Sequence, residues 1–452
     1  MPRHATRPAA LLPLIFAAFA GAQQVGEGTE AHPELPTRFC TKAGGCVTKQ
    51  TKIVAKAENH NMYWDGDKKK TCESAFNTTS ECAFNGDATA CTKKCFIEPI
   101  SNYSTIGVST KGDALTLKLF MPNSNGTGYT RINPQVHLLA EDAKNYEMFK
   151  LVNQELTFDV DMSALTCGLN GALYFSEMEP SGSRSELNPA GAAHGTGYCD
   201  AQCFTTPAYI NGLANLNKSG SCCNEMDIWE ANKVATVFTP HTCSKPSSFL
   251  CRGDDECGKG PMGVCDKAGC GINPYKYGSK DFYGEGKTVD TKRPFTVVTQ
   301  FVHANRDQSD AARAGPLKMI VRKYVQDGRV IASPPVVLPS PAQGSSPSPN
   351  DTTGALTQPF CDAVNATAFN RLGGVAGMGD SMARGMVLVF SIWNSLTGDN
   401  MNWLDSGKAG PCAPDLGSPD KVLARDPNVS VTFSNIRWGE LETTCQGGGN
   451  KA

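Results

Sequence analysis

Between Ser221 and Thr242 three carboxylates, Glu225, Asp227 and Glu230, alternate with Met226, Ile228 and Trp229, directly after the adjacent pair Cys222 and Cys223. Apolar residues beside half-cystines mark a core strand, and a bare carboxylate is costly there. Charge in such a place calls for a chemical reason. Side chains i and i+2 of an extended strand share one face, so Glu225 and Asp227 project together and can share a proton through a hydrogen bond. Glu230 breaks that parity unless one extra residue re-aims the strand. The spacing therefore predicts a β-bulge between Asp227 and Glu230.

With that bulge the Cα atoms of Glu225 and Glu230 lie about 13 Å apart at a rise of about 3.3 Å per residue. Side chains leaning together then approach the ~5–5.5 Å carboxyl separation of retaining glycosidases. In that chemistry one carboxylate attacks the anomeric carbon; the other protonates the leaving oxygen and later deprotonates water. Glu225 is the candidate nucleophile, Glu230 the candidate acid/base, and Asp227 the group that orients Glu225 and tunes its proton affinity. A bare Glu-x-Asp-x-x-Glu more often marks the solvated face of an edge strand. The full string Cys-Cys-Asn-Glu-Met-Asp-Ile-Trp-Glu-Ala-Asn, with Thr-Pro-His ending at His241, is far more specific. It closely resembles the active-site strand of glycoside hydrolase family 7, the fungal endo-β-1,4-glucanases and cellobiohydrolases.

Other features fit a secreted enzyme acting on a neutral polymer. Arg3 and Arg7 precede the apolar run from Ala9 to Ala20, which ends in Ala20-Gly21-Ala22. That is a secretory signal peptide over 1–22. No other stretch is long and apolar enough to cross a membrane. A net charge of −2 gives no strong attraction to nucleic acid or anionic lipid. Nineteen cysteines, all beyond the signal, fit an oxidising compartment and a disulfide framework. With few histidines and no His-Glu-x-x-His, no metal site or other cofactor is expected. An odd count leaves one cysteine over, assigned to Cys445. Sequons at Asn77, Asn102, Asn125, Asn217, Asn350, Asn365 and Asn428 suit glycosylated surface loops.

Strand-like segments recur with little helical periodicity: 114–120, 135–139, 155–162, 172–178, 295–302, 317–325, 386–394 and 429–438. Asp327-Gly328 joins two of them as a hairpin signal. Short strands separated by Gly, Pro and Asn indicate an all-β, two-sheet antiparallel β-sandwich. The resemblance implies the same, a jelly-roll, concanavalin-like sandwich with a substrate cleft along its concave sheet. One catalytic domain is expected over 23–442, followed by a Gly-rich tail at 443–452 with no carbohydrate-binding module. The Pro- and Ser-rich segment 333–359 reads as an exposed loop, because strand signals and family pattern resume on both sides.

Binding a glucan takes aromatic platforms and polar groups that meet its hydroxyls. The resemblance assigns Trp393 and Trp403 to sugar stacking near the cleavage point and Trp64 to a platform at the far end of the cleft. It assigns Tyr174, Asp200 and Gln202 to hydrogen bonds just before the scissile bond, and His241 to the acid/base region. Trp229 and Trp438 are expected in the core. Flanking cysteines Cys199 and Cys203 would hold Asp200 and Gln202 rigidly. The pairings it implies are Cys40 with Cys46, Cys72 with Cys95, Cys82 with Cys91, Cys243 with Cys265, Cys251 with Cys257, and Cys270 with Cys361.

Two short gaps, 204–221 and 407–411, stand where cellobiohydrolases carry long cleft-roofing loops. Lys276 stands where they commonly have a product-gripping Arg, whose bidentate fork a lysine cannot reproduce. These departures imply an open cleft and endo cleavage. The fuller cysteine loop from Cys243 to Cys270 resembles the cellobiohydrolase pattern instead. The expected protein is a secreted, monomeric, retaining endo-β-1,4-glucanase acting on β-1,4-glucan. The alternatives are a cellobiohydrolase or, on the same sandwich, a non-catalytic carbohydrate-binding lectin.

Overall fold

A computed structural model describes residues 24–76, 78–83, 86–304, 316–336, 354–395 and 401–445. The signal segment, the sequons at Asn77 and Asn350, residues 337–353 of the Pro- and Ser-rich segment and residues 446–452 lie outside the described residues.

Eleven strands carry the architecture: β1 (Lys52–Ala55), β2 (Gln135–Leu139), β3 (Gln154–Asp161), β4 (Leu169–Ser176), β5 (Glu225–Ala231), β6 (Thr236–His241), β7 (Phe295–His303), β8 (Leu317–Gln326), β9 (Arg329–Ala332), β10 (Met386–Asn394) and β11 (Ser430–Glu440). One sheet runs β6-β5-β4-β10-β2-β1 and the other β9-β8-β7-β3-β11, extended by Thr37–Thr41 and Gly45–Lys49. Pairing is antiparallel except where Thr37–Thr41 runs parallel to β11. Every expected strand segment is present, within a few residues of its expected ends. The hairpin at Asp327-Gly328 pairs Gln326 with Arg329, and both turn residues take positive φ, 53° and 72°. A two-residue turn with that geometry matches the twist of its strands.

Between the sheets lies a core built from one face of each strand. Leu169, Leu173 and Phe175 of β4, Met226 and Trp229 of β5, and Leu388, Phe390 and Ile392 of β10 meet Phe158, Phe295, Phe301, Tyr324 and Phe433. Trp229 and Trp438 are core residues, as expected. The alternate residues of β4, β5 and β10, including Asn170, Tyr174, Glu225 and Trp393, project from the opposite face. That second face holds the candidate site.

The fold also contains helices that the sequence pattern does not announce. The helix Gly374–Arg384 packs against β8, preceded by Gln358–Ala363 and Thr367–Arg371. Its buried Val375, Met378 and Met382 recur at helical spacing, but Gly-Val-Ala-Gly-Met-Gly has poor helix propensity, which masked the pattern. The short strand Leu356–Thr357 pairs with β8, so the chain on both sides of 337–353 belongs to one sheet.

All six expected disulfides are present. Three more join Cys167 to Cys412, Cys199 to Cys223 and Cys203 to Cys222. Cys445 is the free thiol. Asn102, Asn125, Asn217, Asn365 and Asn428 are exposed, as glycosylation would require.

Two outcomes follow from this framework. Denatured, unreduced protein should give one thiol per chain with a chromogenic disulfide reagent, and Cys445→Ser none. The Cys167–Cys412 bond closes a loop of 245 residues. Replacing both cysteines by Ala should lower unfolding free energy by roughly 2–5 kcal/mol, read by denaturant titration.

Candidate active site

The expected bulge is present. Against β6, Asp227 faces Thr239 while Glu230 faces Val237, so β5 spends three steps where its partner spends two. Against β4 the same shift falls between Leu173, which faces Trp229, and Tyr174, which faces Asp227. Ile228 is the residue in excess against β4, and against β6 Ile228 and Trp229 together stand opposite Phe238. Ile228 and Trp229 consequently both enter the core, and Glu230 returns to the face that carries Glu225 and Asp227.

All three carboxyls are buried, between 6% and 9% exposed. Burial pushes each well above the usual carboxylate range, and charge adds to it: Asp227 and Asp200 act on Glu225, Asp200 on Asp227, and Asp227 on Glu230. Counter-forces differ between the two glutamates. Glu225 Oε2 accepts the Ala201 N–H at 3.1 Å, which favours its ionised form. Asn170 Nδ2 donates to Glu230 Oε1 at 2.8 Å, leaving the second oxygen to carry a proton. Asn170 Oδ1 also accepts the Ala231 N–H at 3.1 Å, so one buried amide holds the backbone and side chain just after the bulge.

His241 stands opposite Glu225, and its Nε2 lies 3.0 Å from Asp227 Oδ2. Its Nδ1 is 2.9 Å from the Asp266 carbonyl, which can only accept, so Nδ1 carries hydrogen. One proton is then shared between Nε2 and Asp227. His241 is thus held against Asp227, and its positive form opposes the rise at both Glu225 and Glu230.

The segment 199–203 is stapled to β5's approach by Cys199–Cys223 and Cys203–Cys222. Asp200 Oδ1 accepts the N–H groups of Gln202 (2.9 Å) and Cys203 (3.1 Å), closing a tight turn that aims Ala201 N–H at Glu225. Burial raises Asp200, opposed by Lys56, a Tyr198 hydrogen bond and Lys267. Tyr174 reaches the same group: its hydroxyl lies 2.8 Å from that of Tyr198. Gln202 Nε2 donates to the Lys267 carbonyl at 3.2 Å, and Lys267 Nζ returns a bond to the Gln202 carbonyl.

The three expected platforms fare differently. Trp393 is half-buried on Val237, Met401 and Leu404, and Val237 is the cross-strand neighbour of Glu230. Trp403 is 45% exposed on the short helix Asn402–Asp405. Trp64 is a correction. It is 3% exposed, enclosed by the Cys72–Cys95 and Cys82–Cys91 cluster, with Lys70 and Lys94 each 5.8 Å from its ring centre. A small disulfide-rich lobe has little else to bury, so the ring serves as its core and offers no open face.

The family model described as glycosyl hydrolase family 7 matches residues 25–445. The chain belongs to this family. As a family 7 member it is a glycosidase. An endo-beta-1,4-glucanase of Aspergillus oryzae is 47% identical over 96% of this chain and 97% of its own. The endocellulase EGI of Humicola insolens aligns with a TM-score of 0.82 at 43% identity, covering 93% of this chain and 100% of that one. A family 7 cellobiohydrolase of Daphnia pulex aligns at 0.79 with 31% identity, covering 93% and 99%.

Sequence reasoning missed Asn170, Lys267 and Tyr198. Asn170 had a signal, a lone amide inside the apolar strand Leu-Asn-Gly-Ala-Leu. Lys267 had none, because its approach depends on how the 265–270 loop folds back.

The negative charge of Asp227 disfavours ionised Glu230. Asp227→Asn should therefore lower the value at which Glu230 loses its proton and move the alkaline limb of kcat/KM to lower pH. Because burial raises Glu230 in the folded state, ionising it costs stability as pH rises through that raised value. Glu230→Gln should raise Tm at about pH 7, a gain that vanishes below about pH 4, where folded and unfolded chains both hold the proton.

Proposed function

We propose that this protein is a secreted, retaining endo-β-1,4-glucanase that cleaves internal bonds of cellulose and related glucans. The observation that carries the reading is the bulge at Ile228, which sets Glu225 and Glu230 on one face of a buried strand. Glu225, with the Ala201 N–H on one oxygen, attacks the anomeric carbon and forms a glycosyl-enzyme ester. Glu230 gives its proton to the departing oxygen, then removes one from the water that releases the sugar. Asp227, in partnership with His241, sets the charge that both glutamates feel.

Beside Asp200 a cavity of about 370 Å³, lined in part by Lys56, Asn61, Tyr198, Thr206 and Ser221, offers groups suited to sugar hydroxyls. Trp393 and Trp403 are proposed as stacking platforms. The relatives named endoglucanase support this reading, as do the short segments 204–221 and 407–411. One observation favours cellobiohydrolase action: the Cys243–Cys270 stretch, held by Cys243–Cys265 and Cys251–Cys257, provides material to cover part of the cleft. The proposed organisation is a signal peptide over 1–22, one catalytic domain over 23–442 and a monomer in solution.

Viscosity of carboxymethyl-cellulose, followed together with new reducing ends, tests this. Wild type should lose viscosity steeply per bond cut, and Glu225→Gln should fall by roughly 10³-fold or more. Cellobiose as main product with slow viscosity loss would establish the exo reading; full activity in Glu225→Gln would refute the assignment of the nucleophile.

A further inference from the structure

Arg322 stands where β8 calls for an apolar side chain. Ile320 and Tyr324 share its inward parity, and Arg322 is 1% exposed between the two sheets. Removing a guanidinium from water costs several kcal/mol unless its donors and charge are met. Among the described residues no carboxylate is paired with it. It lies instead over aromatic faces, 4.6 Å from the Phe238 ring centre and 5.7 Å from that of Trp229. Its Nε donates to Thr299 Oγ1 at 3.1 Å, and its Nη2 donates across the core to the carbonyl of Ile228.

That acceptor is the residue in excess in the bulge. Ile228 has no cross-strand pair on β4 or on β6. A buried carbonyl outside the ladder and left without a donor costs about 1–3 kcal/mol. A slip of one residue would restore the ladder and would turn Glu230 towards the core. A donor from the opposite sheet opposes that slip, and the long arginine side chain carries one through a core filled by Trp229 and Tyr324.

We propose that Arg322 is a positioning residue for the acid/base carboxyl, its guanidinium holding the Ile228 bulge and thereby keeping Glu230 beside Glu225. The proposal rests on the reading of Glu225 as nucleophile and Glu230 as acid. Arg322 touches no substrate. Its effect reaches the reaction through the backbone of β5.

Two substrates separate this role from a general loss of stability. Phenyl β-cellobioside has a poor leaving group and needs the proton from Glu230; the 2,4-dinitrophenyl analogue leaves without it. Rates are normalised to active sites titrated with a 2-deoxy-2-fluoro aryl cellobioside. Arg322→Met keeps the bulk and apolar packing, and a buried charge replaced in this way often leaves folding intact. It should lower kcat/KM for the phenyl substrate by at least about tenfold and for the dinitrophenyl substrate by less than about threefold. Arg322→Lys should show the same bias with a smaller loss.

Equal losses on both substrates would overturn the proposal. So would failure of both variants to fold, which would make Arg322 a residue of the fold alone. Glu230→Gln calibrates the assay: if it shows the leaving-group bias and Arg322→Met does not, only the Arg322 proposal fails. If Glu230→Gln shows no bias, the acid assignment fails and the Arg322 proposal falls with it.

Discussion

One backbone irregularity governs this molecule. A regular β5 would point Glu225 and Glu230 to opposite sides of the sheet, one into a hydrophobic core and one into the cleft. The extra residue at Ile228 places both on one side and drives Ile228 and Trp229 together into the core. The same step that assembles the carboxyls therefore supplies apolar contact that holds the strand down. Three acids whose proton affinities are raised chiefly by burial are costly to hold there, and the core packing of Met226, Ile228 and Trp229 keeps their strand in place.

The surroundings hold the two acids in different ways. Glu225 receives a backbone N–H from a turn closed by Asp200 and clamped by two disulfides, a group that cannot readily move away. Glu230 receives the Asn170 amide, which ties it to β4 and leaves one oxygen for a proton. Both donors favour the ionised form against the larger effect of burial, so the two glutamates differ in what holds them, not in the direction of their shift. Rigidity extends further: Asp405 accepts the Gly168 N–H and the Asn232 amide next to the Cys167–Cys412 bond, fixing the short helix that presents Trp403.

Much of the site was legible because its chemistry lies in one short stretch. Glu225, Asp227 and Glu230 fall within six residues, and strand parity alone demands the bulge between them. Asp200 and Gln202, bracketed by Cys199 and Cys203, were also readable as a rigid turn. Lys267 was not, since it reaches the site from a segment distant in sequence; Asn170 and Tyr198 carried only a strand amide and a neighbour of Cys199, whose roles depend on contacts made in the fold. Trp64 misled for the converse reason: exposure is a property of neighbours, and its neighbours are half-cystines and lysines brought together by disulfides. The Gly374–Arg384 helix was lost because its glycines lower propensity, while its burial against β8 supplies the stability that propensity lacks.

By itself the sequence determined the period-two strands, the Asp327-Gly328 hairpin, the oxidising disulfide chemistry and the identity and parity of the candidate catalytic acids. Each depends on residue type and local spacing, which the chain carries wherever it folds. Tertiary structure alone decided which oxygen of which glutamate is hydrogen-bonded, that each proton affinity rises, that His241 lies against Asp227, and that Arg322 crosses from the other sheet to the bulge. These depend on burial and on distances between residues far apart in the chain, and electrostatic energy is set by those two quantities.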